Sequence, residues 1–273
     1  MNSHHLKCLS AVAAGLLLAV TANAQQTPAA SQTPPRRGNP ADTEEWEPVP
    51  KVVLPGKTFS DAPSDALILF DGKNMDQWVT TKDKSAVKWD IAKGVLTVNK
   101  ATGGGNIETK QAFKNYQLHL EWKVPANVTG EGQGRGNSGL FLASTGGGDA
   151  GYEVQIMDSY NNENKTYVNG MAGAVYKQFI PLANPARKNG EWNVYDVAWT
   201  APTFNEDGTL KTAAHVTVFF NGVLVQNNVE LLGETLYIGK PVYKKYDTAP
   251  IKLQAHGDKS EPVSFRNIWI RGL

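Results

Sequence analysis

Nine consecutive residues, Tyr116-Gln117-Leu118-His119-Leu120-Glu121-Trp122-Lys123-Val124, alternate apolar and polar without a break. An extended strand turns successive side chains to opposite faces, so Tyr116, Leu118, Leu120, Trp122 and Val124 share the inward one. A sheet with one apolar face has to be covered by a second layer. No segment of the chain carries a helical pattern of three turns, so that layer is a second sheet. The same parity places His119 on the outward face, where it is read as solvated.

The rest of the chain agrees. Segment 67–70 runs into the turn Asp71-Gly72-Lys73-Asn74, and segments 87–91 and 95–98 pair through Ala92-Lys93-Gly94. Segments 137–142, 152–157 and 192–199 follow. Segments 216–220 and 223–226 flank Asn221-Gly222, the strongest short hairpin signal, and 251–255 and 263–270 close the chain. About a dozen short strands without a fixed repeat predict an all-β fold over residues 65–273, an antiparallel β-sandwich or jelly roll.

Two segments precede it. Residues 1–24 read as a signal peptide: Lys7, an apolar run over 9–20, and the cleavage site Ala22-Asn23-Ala24. The run is too short to span a bilayer and nothing later reaches transmembrane length, so an exported chain, periplasmic or secreted, is expected. Residues 25–64 hold eight prolines and form an extended N-terminal arm. Within it Trp46-Glu47-Pro48-Val49-Pro50-Lys51-Val52-Val53 is too apolar for a plain linker and suits either the domain surface or a partner. Cys8, the only cysteine, leaves with the signal, which excludes disulfides, thiolate catalysis and Cys-ligated metals. With Lys7 also gone, 26 basic residues face 26 acidic ones, so no electrostatic case for nucleic acid exists.

Four stretches carry candidate chemistry. In 151–158, Tyr152, Val154 and Ile156 share one face and Glu153 and Gln155 the other. Asp158 joins that polar row only if a β-bulge near Met157 shifts the register. Asn137-Ser138-Gly139 follows a Gly-rich loop, Gly190-Glu191-Trp192-Asn193 begins a strand, and Gln254-Ala255-His256-Gly257-Asp258 ends one. Each also has a plain reading: a solvated strand face, a turn, a core Trp with its neighbours, a loop histidine. His215 precedes an apolar strand with no acid beside it, which leaves His256 as the one serious histidine candidate. A three-His metal site is therefore excluded, a mixed site of His256 with carboxylates has no supporting spacing, and no cofactor is expected. There is no nucleophile elbow, and the triple glycines at 103–105 and 146–148 feed no helix, so no phosphate loop is present. Loops rich in Trp, Tyr, amides and acids suit a sugar, which offers an apolar ring face and paired hydroxyls. A retaining glycosidase pair does not fit: roughly 16 Å of extended chain separates Glu153 from Asp158, against about 5 Å between the carboxyls of that mechanism.

The chain from about residue 65 to 273 resembles the 3-keto-disaccharide hydrolase domain family of concanavalin A-like jelly rolls. The resemblance rests on eight stretches in order: 69–74 with Trp78, Asn137-Ser138-Gly139, 151–158, Gly173-Ala174-Val175-Tyr176, Gly190-Glu191-Trp192-Asn193, Asn221-Gly222-Val223, Leu253-Gln254 with His256-Gly257, and Phe265-Arg266-Asn267-Ile268. It implies cleavage of glycosides and disaccharides already oxidised at C3. A C3 ketone acidifies the C2 hydrogen, so one base can remove it, the enolate expels the aglycone, and water adds afterwards. On that reading His256 or Glu153 is the base, and Asp158 is a positioning acid. Gln155, Tyr176 and Asn193 bond the substrate, with Asn137 and Gln254 in the same matching stretches, and Trp192 stacks on it. Glu191 contributes there or merely holds its loop. Lys177 is the nearest cation, with a divalent ion as the alternative. An upstream sugar oxidoreductase would make the ketone. Where many relatives carry an arginine this chain reads Leu140-Phe141-Leu142-Ala143-Ser144, and Ala255 stands where an acid is frequent. These departures keep a non-catalytic sugar-binding module open as the alternative.

Overall fold

The computed structural model describes residues 38–100 and 104–273. The expected signal peptide and the arm up to residue 37 lie outside the described residues. The chain forms two units that divide after Pro50. In the first, residues 38–50 contain one 3-10 turn, Pro40–Thr43, capped by the Asn39 side chain.

The regular structure of the second unit is strand apart from short 3-10 turns. Leu67–Phe70 (β1), Trp78–Thr80 (β2), Asp90–Ala92 (β3), Val95–Thr97 (β4) and Ile107–Thr109 (β5) precede the alternating strand Tyr116–Lys123 (β6). Ser138–Ser144 (β7) and Gly151–Ile156 (β8) form the next pair. Asn193–Thr200 (β9), Thr203–Phe204 (β10), Leu210–Thr212 (β11), His215–Phe220 (β12) and Val223–Glu230 (β13) follow, and Lys252–Leu253 (β14) and Ser264–Gly272 (β15) complete it. One sheet runs β13-β12-β9-β6-β15-β4-β3, with β1 also on β15, and the other runs β2-β5-β14-β7-β8; β10 and β11 pair alone. All these pairings are antiparallel. The hairpin signals hold for a local reason: Asn221 and Gly222 (φ 51° and 79°), like Lys93 and Gly94 (φ 51° and 78°), take the left-handed backbone of a tight two-residue turn.

The core lies between the two sheets. Leu118, Leu120 and Trp122 of β6 face a layer holding Ile107, Leu140, Val154, Ile156 and Leu253, all within 1 % of full burial. Each such aliphatic side chain stabilises the fold by about 1.5–3 kcal/mol. Tyr195 in β9 donates to the backbone oxygen of Gln155 at 2.7 Å, tying the large sheet to β8 across the core.

The outward face of β6 departs from the expectation. His119 is buried (0 % exposed), not solvated, and Glu121 is buried beside it. Residues 54–65 cross that face: Ser60 O accepts hydrogen bonds from Asn267 and Trp269 of β15, and Asp65 pairs with Arg271. Trp269 stacks on the imidazole at 5.2 Å, and His119 Nδ1 bonds Asp196 of β9 at 2.7 Å. Alternation predicted the direction of the side chain correctly; a remote segment covered it. Burial alone would push this imidazole down, but hydrogen bonds to Asp196 and Glu121 outweigh it and raise its pKa. A raised histidine stabilises fully below its unfolded pKa, near 6.5, and loses that contribution as pH rises through the folded value. His119→Ala should therefore cost on the order of 2 kcal/mol at pH 6. Urea unfolding should show the gap to wild type narrowing toward pH 9, and a gap independent of pH would contradict the buried network.

Candidate functional site

The sheet that contains β7, β8 and β14 turns two polar rows away from the core. Antiparallel register aligns Glu153 (β8) with Phe141 (β7), and Phe141 with Lys252 (β14), which in turn faces Glu108 (β5). The next row aligns Gln155 with Gly139, whose backbone oxygen accepts from the Gln254 amide. Directly opposed residues of a sheet share a face, so these side chains emerge together. They meet a cavity of about 120 Å³ lined by Gln133, Asn137, Asp149, Glu153, Gln155, Tyr176, Thr235, Tyr237, Gln254 and His256.

Glu153 sits at its floor, 6 % exposed, and its carboxyl makes no hydrogen bond among the described residues. Burial first, then the negative charge of Asp149, push its pKa up to about 8, against the opposing pull of Lys252. The room it occupies is set by Gly139, where any Cβ would collide with the Glu153 carboxyl. Gly139→Ala should therefore displace that carboxyl and cost at least tenfold in turnover, while the thermal midpoint falls only modestly. Unchanged turnover would contradict this packing. The motif Asn137-Ser138-Gly139 thus has three jobs, since the Ser138 hydroxyl donates to Gln254 O at 2.7 Å and Asn137 lines the cavity.

At the rim His256 is about one-third exposed and bonds Asp258 through Nδ1 at 2.6 Å. A carboxylate can only accept here, so Nδ1 carries a hydrogen and Nε2 is the ring nitrogen left for a ligand. Nε2 lies 3.4 Å from Asn137 Nδ2. Burial opposes ionisation of Asp258, yet hydrogen bonds from His256, Ser260 and Lys100 hold its carboxyl well below the usual range. The carboxamide oxygens of Asn137 and Gln254 are buried without partners among the described residues, two acceptors in the wall of a polar cavity. Such groups are costly unless a ligand or water satisfies them.

Asp149 arrives on the triple-glycine loop. Buried Lys252 donates to the backbone oxygens of Gly146, Gly148 and Ala150 at 3.2, 2.9 and 2.7 Å, and its ammonium lies 4.9 Å from the Phe141 ring centre. Burial lowers the pKa of Lys252 to about 8, with Glu108 and Asp149 pulling the other way. Asn106 fixes Asp149 from the far side at 2.9 Å. The loop is thus an anchored wall, not a phosphate cradle.

Six of the sequence candidates therefore share the cavity: Glu153, His256, Gln155, Tyr176, Asn137 and Gln254. Five do not line it. Asp158 is absent from the polar row because β8 ends at Ile156; the bulge of this pair lies between Phe141 and Ser144, not near Met157. Its carboxylate pairs with Arg135 and accepts from Asn189 at 2.9 Å, which makes it a loop clasp. Glu191, Trp192 and Asn193 enter β9, in the other sheet. There Trp192 is held between the Arg266 guanidinium (4.2 Å) and the Lys123 ammonium (4.8 Å), Asn193 accepts from Arg187 N and Asn221, and Glu191 is exposed. Lys177 lines a neighbouring cleft. Sequence reasoning missed Gln133, Asp149, Thr235 and Tyr237. The last two belong to residues 231–248, which have no regular structure, and a loop of that length bearing aromatic residues is itself a functional signal. Among the described residues no group of three or more His, Cys, Asp or Glu side chains could hold a metal ion, and no helix is long and apolar enough to cross a membrane.

Comparison with known proteins agrees with this architecture. A crystal structure of a candidate glycosyl hydrolase from Parabacteroides distasonis is 53 % identical, covers 86 % of this chain and 97 % of its own, and superposes with a TM-score of 0.78. A second from the same organism, 24 % identical with a TM-score of 0.55 over 76 % of this chain and 99 % of its own, shares the fold. A 3-keto-disaccharide hydrolase of Bacteroides thetaiotaomicron is 28 % identical over 152 residues, 46 % of this chain and half the length of that relative. The model of the 3-keto-alpha-glucoside-1,2-lyase-like domain matches residues 65–271, so the chain belongs to that family, a glycosyl hydrolase-like group of carbohydrate-active proteins.

Proposed function

We propose that this protein cleaves glycosides whose sugar ring carries a ketone at C3. The observation that supports the reading best is a protonated carboxyl and a carboxylate-held imidazole meeting in one cavity. His256 is held through Nδ1 by ionised Asp258, and Glu153 is a carboxyl kept neutral near pH 7 by burial. A carboxyl kept protonated by its surroundings is suited to act as the acid, and an oriented imidazole as the base.

In this route His256 Nε2 takes the C2 proton, made acidic by the adjacent ketone. The electron pair moves through the enolate and breaks the bond from C1 to the aglycone oxygen, leaving a ring unsaturated between C1 and C2. Glu153 gives its proton to the departing oxygen. Water can then add at C1 while C2 regains a proton, which makes the net change a hydrolysis. Gln155, Tyr176 and the unpartnered oxygens of Asn137 and Gln254 bond the ring hydroxyls. The route uses no metal ion. Its substrate has to be supplied by a reaction that dehydrogenates a sugar at C3, so an upstream sugar oxidoreductase is its natural partner and an exported location its setting.

Incubating the purified protein with a 3-keto-disaccharide and with the unoxidised parent tests the reading. Cleavage of the keto sugar alone is expected. No product from it, or equal cleavage of both, would overturn the proposal.

A further inference from the structure

One row of the five-stranded sheet holds two buried acids and a buried lysine. Antiparallel register sets Val79, Glu108, Lys252, Phe141 and Glu153 opposite one another across β2, β5, β14, β7 and β8. Opposed residues share a face, so these side chains stand side by side. Phe141 and Lys252 are fully buried, and Glu108 and Glu153 nearly so. At one end the charge is matched: Glu108 pairs with Lys84 and accepts from the Ser144 hydroxyl at 2.6 Å. At the other end Glu153 has an ammonium only two strands away.

Two strand spacings are roughly 10 Å, a gap that a lysine and a glutamate side chain together close with ease. A contact ion pair would ionise the carboxyl and end its use as a proton donor. Two features oppose it. Lys252 gives its three hydrogens to the backbone oxygens of Gly146, Gly148 and Ala150. The Phe141 ring fills the place between. Toward β14 its centre lies 4.9 Å from the ammonium. Toward β8 its edge crowds the carboxyl, since a Cβ on Gly139 would meet both Phe141 Cε2 and Glu153 Oε1.

We infer that Phe141 is a positioning residue whose ring keeps the Lys252 ammonium and the Glu153 carboxyl from pairing. This rests on the acid role proposed above for Glu153. The other titratable groups around that carboxyl are Asp149 from the glycine loop, His256 from the loop after β14, Tyr176 and Tyr237 across the cavity, and Tyr167, which bonds Tyr176. Burial and then Asp149 push the Glu153 pKa up, and Lys252, the smallest of the three influences, pulls it down. The ring thus lets one ammonium anchor the loop that carries Asp149 without deprotonating the acid beside it.

Infrared titration of the Glu153 carboxyl band, with Glu153→Gln as the blank, tests this without any substrate. Wild type should lose the protonated band near pH 8. Phe141→Leu, which keeps an apolar side chain in the row, should lose it about one pH unit lower or more. Adding Lys252→Gln, which keeps an amide donor for the loop but no charge, should restore most of the difference. The pH at which kcat/KM for a 3-keto-disaccharide declines should move down and back in the same way. Phe141→Met takes the place of Phe141→Leu if that variant does not fold. An unmoved midpoint would overturn the inference, and so would a fall that Lys252→Gln leaves in place, because the ring would then only exclude water. The infrared shift without turnover in any variant would defeat the proposed cleavage and leave the spacer standing.

Discussion

Glu153→Gln should lower turnover of a 3-keto-glycoside by about 10²–10⁴-fold, the usual worth of a positioned acid. The fold should survive, because Gln fills the same volume beside Gly139. The carboxyl titrates near 8 in the folded protein and near 4.5 in the unfolded chain, so between those values the folded state holds one more proton. Stability from this group is thus fully present below about pH 4.5, declines as pH rises, and is gone above about 8. The total is on the order of 5 kcal/mol. Gln cannot titrate, so the variant should gain on wild type as pH increases through that window. Urea midpoints for both proteins at pH 5, 6.5 and 8 measure the difference. A constant difference would mean that the carboxyl meets water, and the proposed acid would lose its physical basis. In wild type, kcat/KM should fall as pH rises past about 8, where the acid loses its proton.

Asp258→Asn should be nearly as damaging, although Asp258 lies outside the lining of the cavity. An asparagine amide can donate to Nδ1, which moves the imidazole hydrogen to Nε2 and removes the lone pair the base needs. A loss of about 10²–10⁴-fold in kcat is expected. His256→Ala should fall in the same range, and the double variant should be little worse than either alone, because the two act as a unit. The change keeps an Oδ1 acceptor for Lys100 and Ser260 but removes the charge that pairs with Lys100, so some stability will be lost. Calorimetry with the unoxidised parent sugar separates the effects: retained binding with lost turnover marks a positioning role. Wild-type turnover in Asp258→Asn would show that the imidazole tautomer does not matter.

The departures from the family pattern have a structural counterpart. At the segment Leu140-Phe141-Leu142-Ala143-Ser144 the outward row is filled by Phe141, with the Lys252 ammonium held against its ring. That charge is consumed by three loop carbonyls, so it fixes a wall and does not reach toward a ligand. The cation of the neighbouring cleft is instead Lys177, contributed by the turn after Val175 and bonded to Tyr237 O.

How far the site could be read in advance is shown by β6 and β8. Both alternate, and in both the apolar set was assigned to the core correctly: Leu118, Leu120 and Trp122 in one, Tyr152, Val154 and Ile156 in the other. The polar sets look alike in sequence, yet neither meets open water. His119 and Glu121 lie beneath residues 54–65, and Glu153 and Gln155 beneath loops from residues 146–150 and 231–248. Trp192 shows the reverse error, an amphipathic ring that suits a sugar but is already held between Arg266 and Lys123.

The longer strands, their facing and the tight hairpins followed from the sequence alone, because a period of two and a left-handed turn residue are local properties of the chain; the short strands β2, β5, β10 and β11 carry too few residues to show a period and did not. The cavity, the neutral state of Glu153 and the choice among polar candidates were decided only by tertiary structure. Each depends on segments far away in the chain, 82 residues for Thr235 over Glu153 and 119 for His256 beside Asn137. Burial and electrostatics are set by what closes over a face, and no local pattern records that.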